Sequence, residues 1–210
     1  MPTQQFPIEK NGPKRIEINW SGMWKDFNVK FDGQPVGAVT KDELGKGKEF
    51  PLPDGSTFKV HLRRVAMGTE LALLRNGDAL PGSAADPETA IKVSAGIVYF
   101  IAAMQALAGV IAVVGRVEWL LTMGFGIPSI VVGVFFAILG FFTMQRSRIA
   151  LGIAMAVYAA DGVATLAMSV DAGGRPGIGG IIIHVLFLTA MWRGFRAMGQ
   201  VKAKQKGTNP

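Results

Sequence analysis

Four apolar spans, at about 93–115, 120–143, 149–170 and 177–192, constrain this chain more than any other feature. An α-helix needs roughly 20 predominantly apolar residues to cross the ~30 Å hydrocarbon layer of a bilayer. The first three spans meet that length. The fourth is short, so it is expected to tilt little or to draw on its flanks. In the second, Pro128 lies close to Gly124 and Gly126, which predicts an irregular or kinked end. The expected class is an α+β membrane protein, with a small N-terminal antiparallel β-sandwich or open barrel followed by a four-helix transmembrane bundle.

Charge is distributed accordingly. Residues 1–92 hold 13 Lys/Arg and 12 Asp/Glu, whereas residues 93–210 hold nine basic residues and only Glu118, Asp161 and Asp171 as acids. Basic residues flanking apolar spans are topology signals. The net charge of +7 therefore points to a membrane and not to nucleic acid. Arg146 and Arg148 lie between spans two and three, and Arg193, Arg196, Lys202, Lys204 and Lys206 follow span four. The opposite side carries only Arg116 and Arg175. The richer side reads as the cytosol, which places both termini there, in a bacterial inner membrane. The N-terminus lacks the apolar stretch of a signal peptide. The chain has no cysteine, so a disulfide framework and a thiolate metal site are excluded.

Residues 1–13 are polar with three prolines and read as a flexible tail. From 14 to 80 the pattern is β. Ile16/Ile18/Trp20, Phe27/Val29/Phe31 and Phe58/Val60/Leu62 alternate with polar residues, which puts each set on one sheet face. Asp32-Gly33, Asp54-Gly55 and Asn76-Gly77 are turn pairs that tolerate positive φ. Residues 81–92 form a linker and a helix start, with Asp86 as cap before Pro87. His61 alternates with the inward Val60 and Leu62 and is expected to point outward.

The segments IEINW, FNVKFDGQPV, GKGKEFPL and ELALLRNGDAL resemble one repeat of the Fas apoptotic inhibitory molecule domain, a β-sandwich. The resemblance covers about a third of the chain. It implies a protein-interaction module and carries over no functional residue. The VYAADG and GGIIIHVLFL segments make the membrane half look like uncharacterised bacterial four-helix membrane proteins, a likeness that assigns no activity.

The soluble part shows no phosphate-binding glycine loop, no metal-ligand spacing and no nucleophile motif, so no catalytic residue, metal or cofactor is expected. In the spans, Asp161 and His184 lie ten and nine residues from Asp171 and Arg175 at one boundary. A rise of about 1.5 Å per residue puts both at roughly the same depth on consecutive antiparallel helices. Gln105 near the middle of span one and Tyr158, one turn from Asp161, complete a polar cluster. Ionisable groups inside a membrane mark a function or a buried pair. Three readings stand: a hydrogen bond from Asp161 to His184 or Gln105 that locks helix packing, a proton or ion relay, and a protonated or water-reached Asp161.

Gly152, Ala156, Ala160 and Ala164 recur at four-residue steps and read as a packing seam, within the chain or between chains. The tail around Phe195, Met198 and Val201 reads either as a short helix on the inner leaflet, its five basic residues meeting lipid headgroups, or as a plain positive-inside tail. The expected function is a non-enzymatic accessory or scaffold subunit whose β domain binds a protein partner or a second copy. The alternative is a small oligomeric ion or proton transporter or channel built on Asp161 and His184.

Overall fold

Residues 2–22, 24–65, 68–171 and 178–207 are described by the structure, a computed structural model. Arg175 and the side chains of Lys204 and Lys206 lie outside the described residues. The chain divides into two compact units, Met1–Ala90 and Ile91–Pro210, each described by itself.

The first unit holds two four-stranded antiparallel sheets. The first is the meander β1 (Thr3–Pro7), β2 (Lys14–Ser21), β3 (Lys25–Phe31) and β4 (Gln34–Val39). A short helix, α1 (Lys41–Lys46), leads to the second: β5 (Lys48–Pro51), β6 (Thr57–Val65), β7 (Gly68–Arg75) and β8 (Asp78–Ala79). The alternating residues of both sheets enter one core. Ile16, Ile18, Phe27, Val29 and Phe31 meet Phe50, Phe58, Val60, Leu71 and Leu73, with Leu44 of α1 among them. Each such side chain contributes about 1.5–3 kcal/mol when fully buried. Trp20 and Leu62 reach only the rim of this core, where they are partly buried.

Local chemistry sets the connections. Asp32 and Gly33 both have positive φ (49° and 79°), as do Asn76 and Gly77 (49° and 85°), and each pair is the whole loop of a hairpin. That matches the twist of the flanking strands, which two-residue turns of negative φ would splay. Arg15 brackets the first turn, bonding the Asp32 carboxylate and lying 4.6 Å over the Phe31 ring. α1 starts with a capping box, in which Thr40 and Glu43 satisfy each other's backbone N–H.

Residues 1–13, expected as a flexible tail, contain β1 instead. It pairs with β2 from Thr3 to Pro7, and Phe6 is 4% exposed in the core. Prolines argued for a tail, but β1 is an edge strand, where a missing N–H is tolerated.

The second unit carries four helices long and apolar enough to cross a membrane: α2 (Pro87–Val114), α4 (Ile127–Met144), α5 (Arg148–Asp171) and α6 (Ile178–Gly207). Pro87 opens α2, and the Asp86 carboxylate accepts from the Glu88 N–H at 2.9 Å. The second apolar span is not one helix. A five-residue helix, α3 (Glu118–Thr122), is separated from α4 by a break in which Gly124 has φ +88°. Pro128 then sits in the first turn of α4, where its missing N–H costs nothing. The tail is corrected as well. α6 continues to Gly207 without a break at Trp192, so no separate surface helix forms. Arg, Ala, Met, Gln and Lys dominate that stretch and all favour helix. Thirty residues make α6 about 45 Å long, beyond the apolar layer, which resolves the shortness of the fourth span.

Glycines on α4 set its approach to α2. A Cβ at Gly133 would lie 2.8 Å from the Ala102 carbonyl oxygen and the Ala106 nitrogen. One at Gly140 would meet the Tyr99 ring at 3.1 Å, and one at Gly109 of α2 would meet the Gly126 carbonyl oxygen at 2.7 Å. The Ser94 hydroxyl of α2 donates to the Ala190 carbonyl of α6 at 3.0 Å, and Phe100 meets Phe187 edge-on.

Candidate functional site

The residue that organises the expected polar cluster is His184. Its ring stacks on Tyr158 of α5, with centroids 4.5 Å apart and planes 9° from parallel. Its Cδ2 lies 2.7 Å from where a Cβ of Gly162 would be, so only glycine lets the imidazole lie this close to α5. Nδ1 is 3.0 Å from the Gly180 carbonyl oxygen, one turn back on α6. A carbonyl only accepts, so this contact puts the proton on Nδ1.

Nε2 is thereby left facing Asp161, at 3.7 Å from Oδ2. It is buried and has no hydrogen-bond partner among the described residues. With a neutral ring and an ionised carboxylate, two acceptors would face each other.

Beside it, α5 and α6 enclose a half-open cavity of about 270 Å³, lined mainly by aliphatic residues such as Val163, Leu166, Ile181 and Leu188. Thr165 and His184 are the polar side chains on its wall. Two other helix hydroxyls bond their own backbone: Thr143 donates to the Leu139 carbonyl at 2.7 Å and Thr189 to the Leu186 carbonyl at 2.8 Å.

Of the four expected members, the structure brings together Asp161, His184 and Tyr158. Gln105 of α2 is half-buried, and no hydrogen bond joins it to the other three among the described residues. The expected small-residue seam points elsewhere. Ala156, Ala160 and Ala164 are exposed and Gly152 is half-buried, because the packed face of α5 is the one bearing Leu151, Ala154 and Tyr158. Within the chain the close approach belongs to Gly133 and Gly140 of α4 and to Gly109 of α2, which faces the Gly126 carbonyl oxygen. The seven-residue spacing of Gly133 and Gly140 was present in the sequence as a signal.

Among the tail residues, Arg193 is half-buried, while Arg196 and Lys202 are exposed. Arg148, at the start of α5, lies over the Phe195 ring with Cζ 4.4 Å from its centroid.

The β unit offers a second surface. The residues between the core positions of the first sheet form a polar outer face. Thr3, Asn19 and Asn28 make one row across β1, β2 and β3, and Gln5, Glu17 and Lys30 the next. Glu17 accepts from Asn19 at 3.0 Å, Gln5 at 3.2 Å and Lys30 at 3.3 Å, which together hold its carboxyl below the usual range. Asn28 and Lys30, with Pro35, Gly37 and Ala38 of β4, line a shallow depression on this sheet. The edges are blunted. Pro7 ends β1, Pro35 interrupts β4, Pro51 ends β5, and β8 is two residues long. Proline and short edge strands suppress edge-to-edge pairing. His61 is half-buried, flanked by the core residue Val60.

Among the described residues, no group of three or more His, Cys, Asp or Glu side chains could hold a metal ion. Comparison with protein-family models, with curated proteins and with solved structures gives no match to this chain.

Proposed function

We propose that this chain is an integral membrane scaffold subunit: four helices anchor it in a bacterial inner membrane, and its cytosolic β domain docks a protein partner. Between 11% and 33% of the residues in the helices' apolar windows are buried, which leaves broad apolar flanks for lipid. Arg146, Arg148, Arg193, Arg196 and Lys202 all lie at the ends expected to face the cytosol.

The observation that carries the docking role is the outer face of the first sheet. It is broad, polar and organised around Glu17, while the strand edges are unsuited to recruiting another strand. The resemblance to the Fas apoptotic inhibitory molecule domain supports the same role. Asp161 and His184 then serve as a lock between α5 and α6. The imidazole is held by Tyr158, Gly162 and Gly180 together. The exposed Ala156, Ala160 and Ala164 are where a second copy would pack.

The test is quantitative affinity purification of the full chain in mild detergent, wild type against Asn28→Arg. A partner that co-purifies with the wild type and is lost from the variant at unchanged thermal stability supports docking through this face. Identical co-purifying proteins in both would refute it.

One observation favours a second reading. The unpaired Nε2 of His184, 3.7 Å from Asp161, is geometry that a proton relay also uses. In that case the chain is a small oligomeric proton or cation transporter, and Asp161 is its titrating group.

A further inference from the structure

Arg148 is the first residue of α5, and its guanidinium lies against α6. Its Cζ is 4.4 Å from the Phe195 ring centroid, and a Cβ at Gly199, one turn further, would stand 3.5 Å from it. Phe195 is itself stacked on Trp192, with centroids 5.6 Å apart and planes 15° from parallel. Its Cε2 lies 3.6 Å from where a Cβ of Gly152 would be, so a glycine on α5 leaves room for the ring. Two helices thus build a platform of an indole, a phenyl ring and a guanidinium. The guanidinium carries five N–H donors in one plane, none of them spent on the ring it lies over.

No carboxylate pairs with Arg148 among the described residues. The surroundings are basic throughout. Gln145–Arg148 contains two arginines and no acid, and the sequence after Asp171 contains no acidic residue. Arg196 and Lys202 are exposed on the same helix as the platform. The N-terminus of α5 adds its own partial positive charge at this end. Trp192 is half-exposed at the end of the apolar part of α6, where aromatic side chains mark headgroup depth.

We infer that Arg148, held on Phe195 and flanked by Trp192, is a binding site for the phosphodiester of an anionic phospholipid. The guanidinium fork matches two phosphate oxygens, and the indole sits at the level of the glycerol backbone. This differs from the diffuse attraction of the tail lysines. It depends on a fixed geometry between α5 and α6, and it rests on the membrane reading above.

The experiment uses the full chain in detergent micelles, with native mass spectrometry counting retained lipid. The probes are phosphatidylglycerol, phosphatidylcholine and inorganic phosphate. The wild type is expected to retain phosphatidylglycerol at least about tenfold better than phosphatidylcholine, about 1.4 kcal/mol of preference. Phe195→Leu keeps every charge but removes the platform, and is expected to lose most of that preference. Arg148→Gln is expected to abolish it, and Arg148→Lys to keep only part, since an ammonium lacks the fork. Thermal midpoints measured alongside identify any variant that misfolds, and Arg148→Lys keeps the test available if Arg148→Gln does.

Equal retention of the two lipids would overturn the site. So would wild-type retention in Phe195→Leu and Arg148→Gln, which would mean diffuse attraction only. Displacement of the lipid by millimolar inorganic phosphate would overturn the lipid assignment in favour of a free anion. Resistance of the chain to alkaline carbonate extraction from native membranes tests the membrane reading separately. A chain that resists extraction and shows no lipid preference defeats this inference alone.

Discussion

Gly133→Ala is the substitution whose outcome the helix geometry fixes most tightly, provided it is read against Gly96→Ala. A Cβ at Gly133 would stand 2.8 Å from two backbone atoms of α2, Ala102 O and Ala106 N, and 2.9 Å from the Ala106 Cβ. Ordinary contacts begin near 3.4 Å, so α2 and α4 must separate by about 0.6 Å or tilt apart. No flexible side-chain end is available to yield. Overpacking of this kind costs about 1–3 kcal/mol. Alanine returns up to about 1 kcal/mol of helix propensity. Gly96, exposed on α2, has nothing within 4 Å of its would-be Cβ, so Gly96→Ala gains the same propensity with no overlap. The difference between the two variants isolates the overlap, at about 1–3 kcal/mol. Reversible unfolding in mixed detergent–SDS micelles, followed by far-ultraviolet circular dichroism, measures it. A Gly133→Ala protein as stable as Gly96→Ala to within about 0.5 kcal/mol would refute the close approach of α2 and α4.

Three further outcomes follow from the β unit and the expected topology. Phe6→Ala removes a side chain 4% exposed in the core and is expected to destabilise the β unit by about 3–5 kcal/mol; tryptophan-fluorescence unfolding unchanged from the wild type would restore the flexible-tail reading. Glu43 is held at a pKa of about 2, first by Lys48 and then by the Thr40 backbone and hydroxyl. Its folded pKa lies below the ordinary value of 4.5, so its stabilisation of α1 is complete above that value and lost as pH falls towards 2. A carboxyl NMR titration of Glu43 with a midpoint near 4.5 would contradict the capping box. Cysteines introduced at Ser56 and Thr208 are expected to resist an impermeant thiol reagent in intact cells while one at Ala172 reacts; labelling of the first two alone would invert the topology.

What the sequence made legible was what repeats. Alternation identified Ile16, Ile18, Phe27, Val29, Phe31, Phe58 and Val60 as core, because a strand with one buried face must alternate. Turn chemistry placed the Asp32-Gly33 and Asn76-Gly77 hairpins. The meeting of Asp161 and His184 followed from counting residues along consecutive helices. β1 was hidden because edge strands tolerate the prolines that elsewhere rule strands out. The break before α4 was half visible, since Pro128 announced an irregular end but not a separate α3. Within the chain the close approach fell on α4 and not on the α5 seam, because four-residue spacing on α5 and seven-residue spacing on α4 are both small-residue patterns. Only the neighbouring backbone decides which is used. The Tyr158–His184 stack and the Arg148–Phe195 platform depend on how helices rotate against each other, which no single-helix pattern encodes.

The central claim is that the helices anchor the chain and that Asp161 locks α5 to α6. Asp161→Asn tests it most directly, measured as proton flux in proteoliposomes alongside thermal stability in detergent. Asparagine keeps the size and can donate to the bare Nε2 of His184, and interhelical hydrogen bonds in membranes average only about 0.6 kcal/mol. The account predicts no flux in either protein and nearly unchanged stability in the variant. Flux in the wild type that disappears in Asp161→Asn at unchanged stability would contradict it and establish the relay.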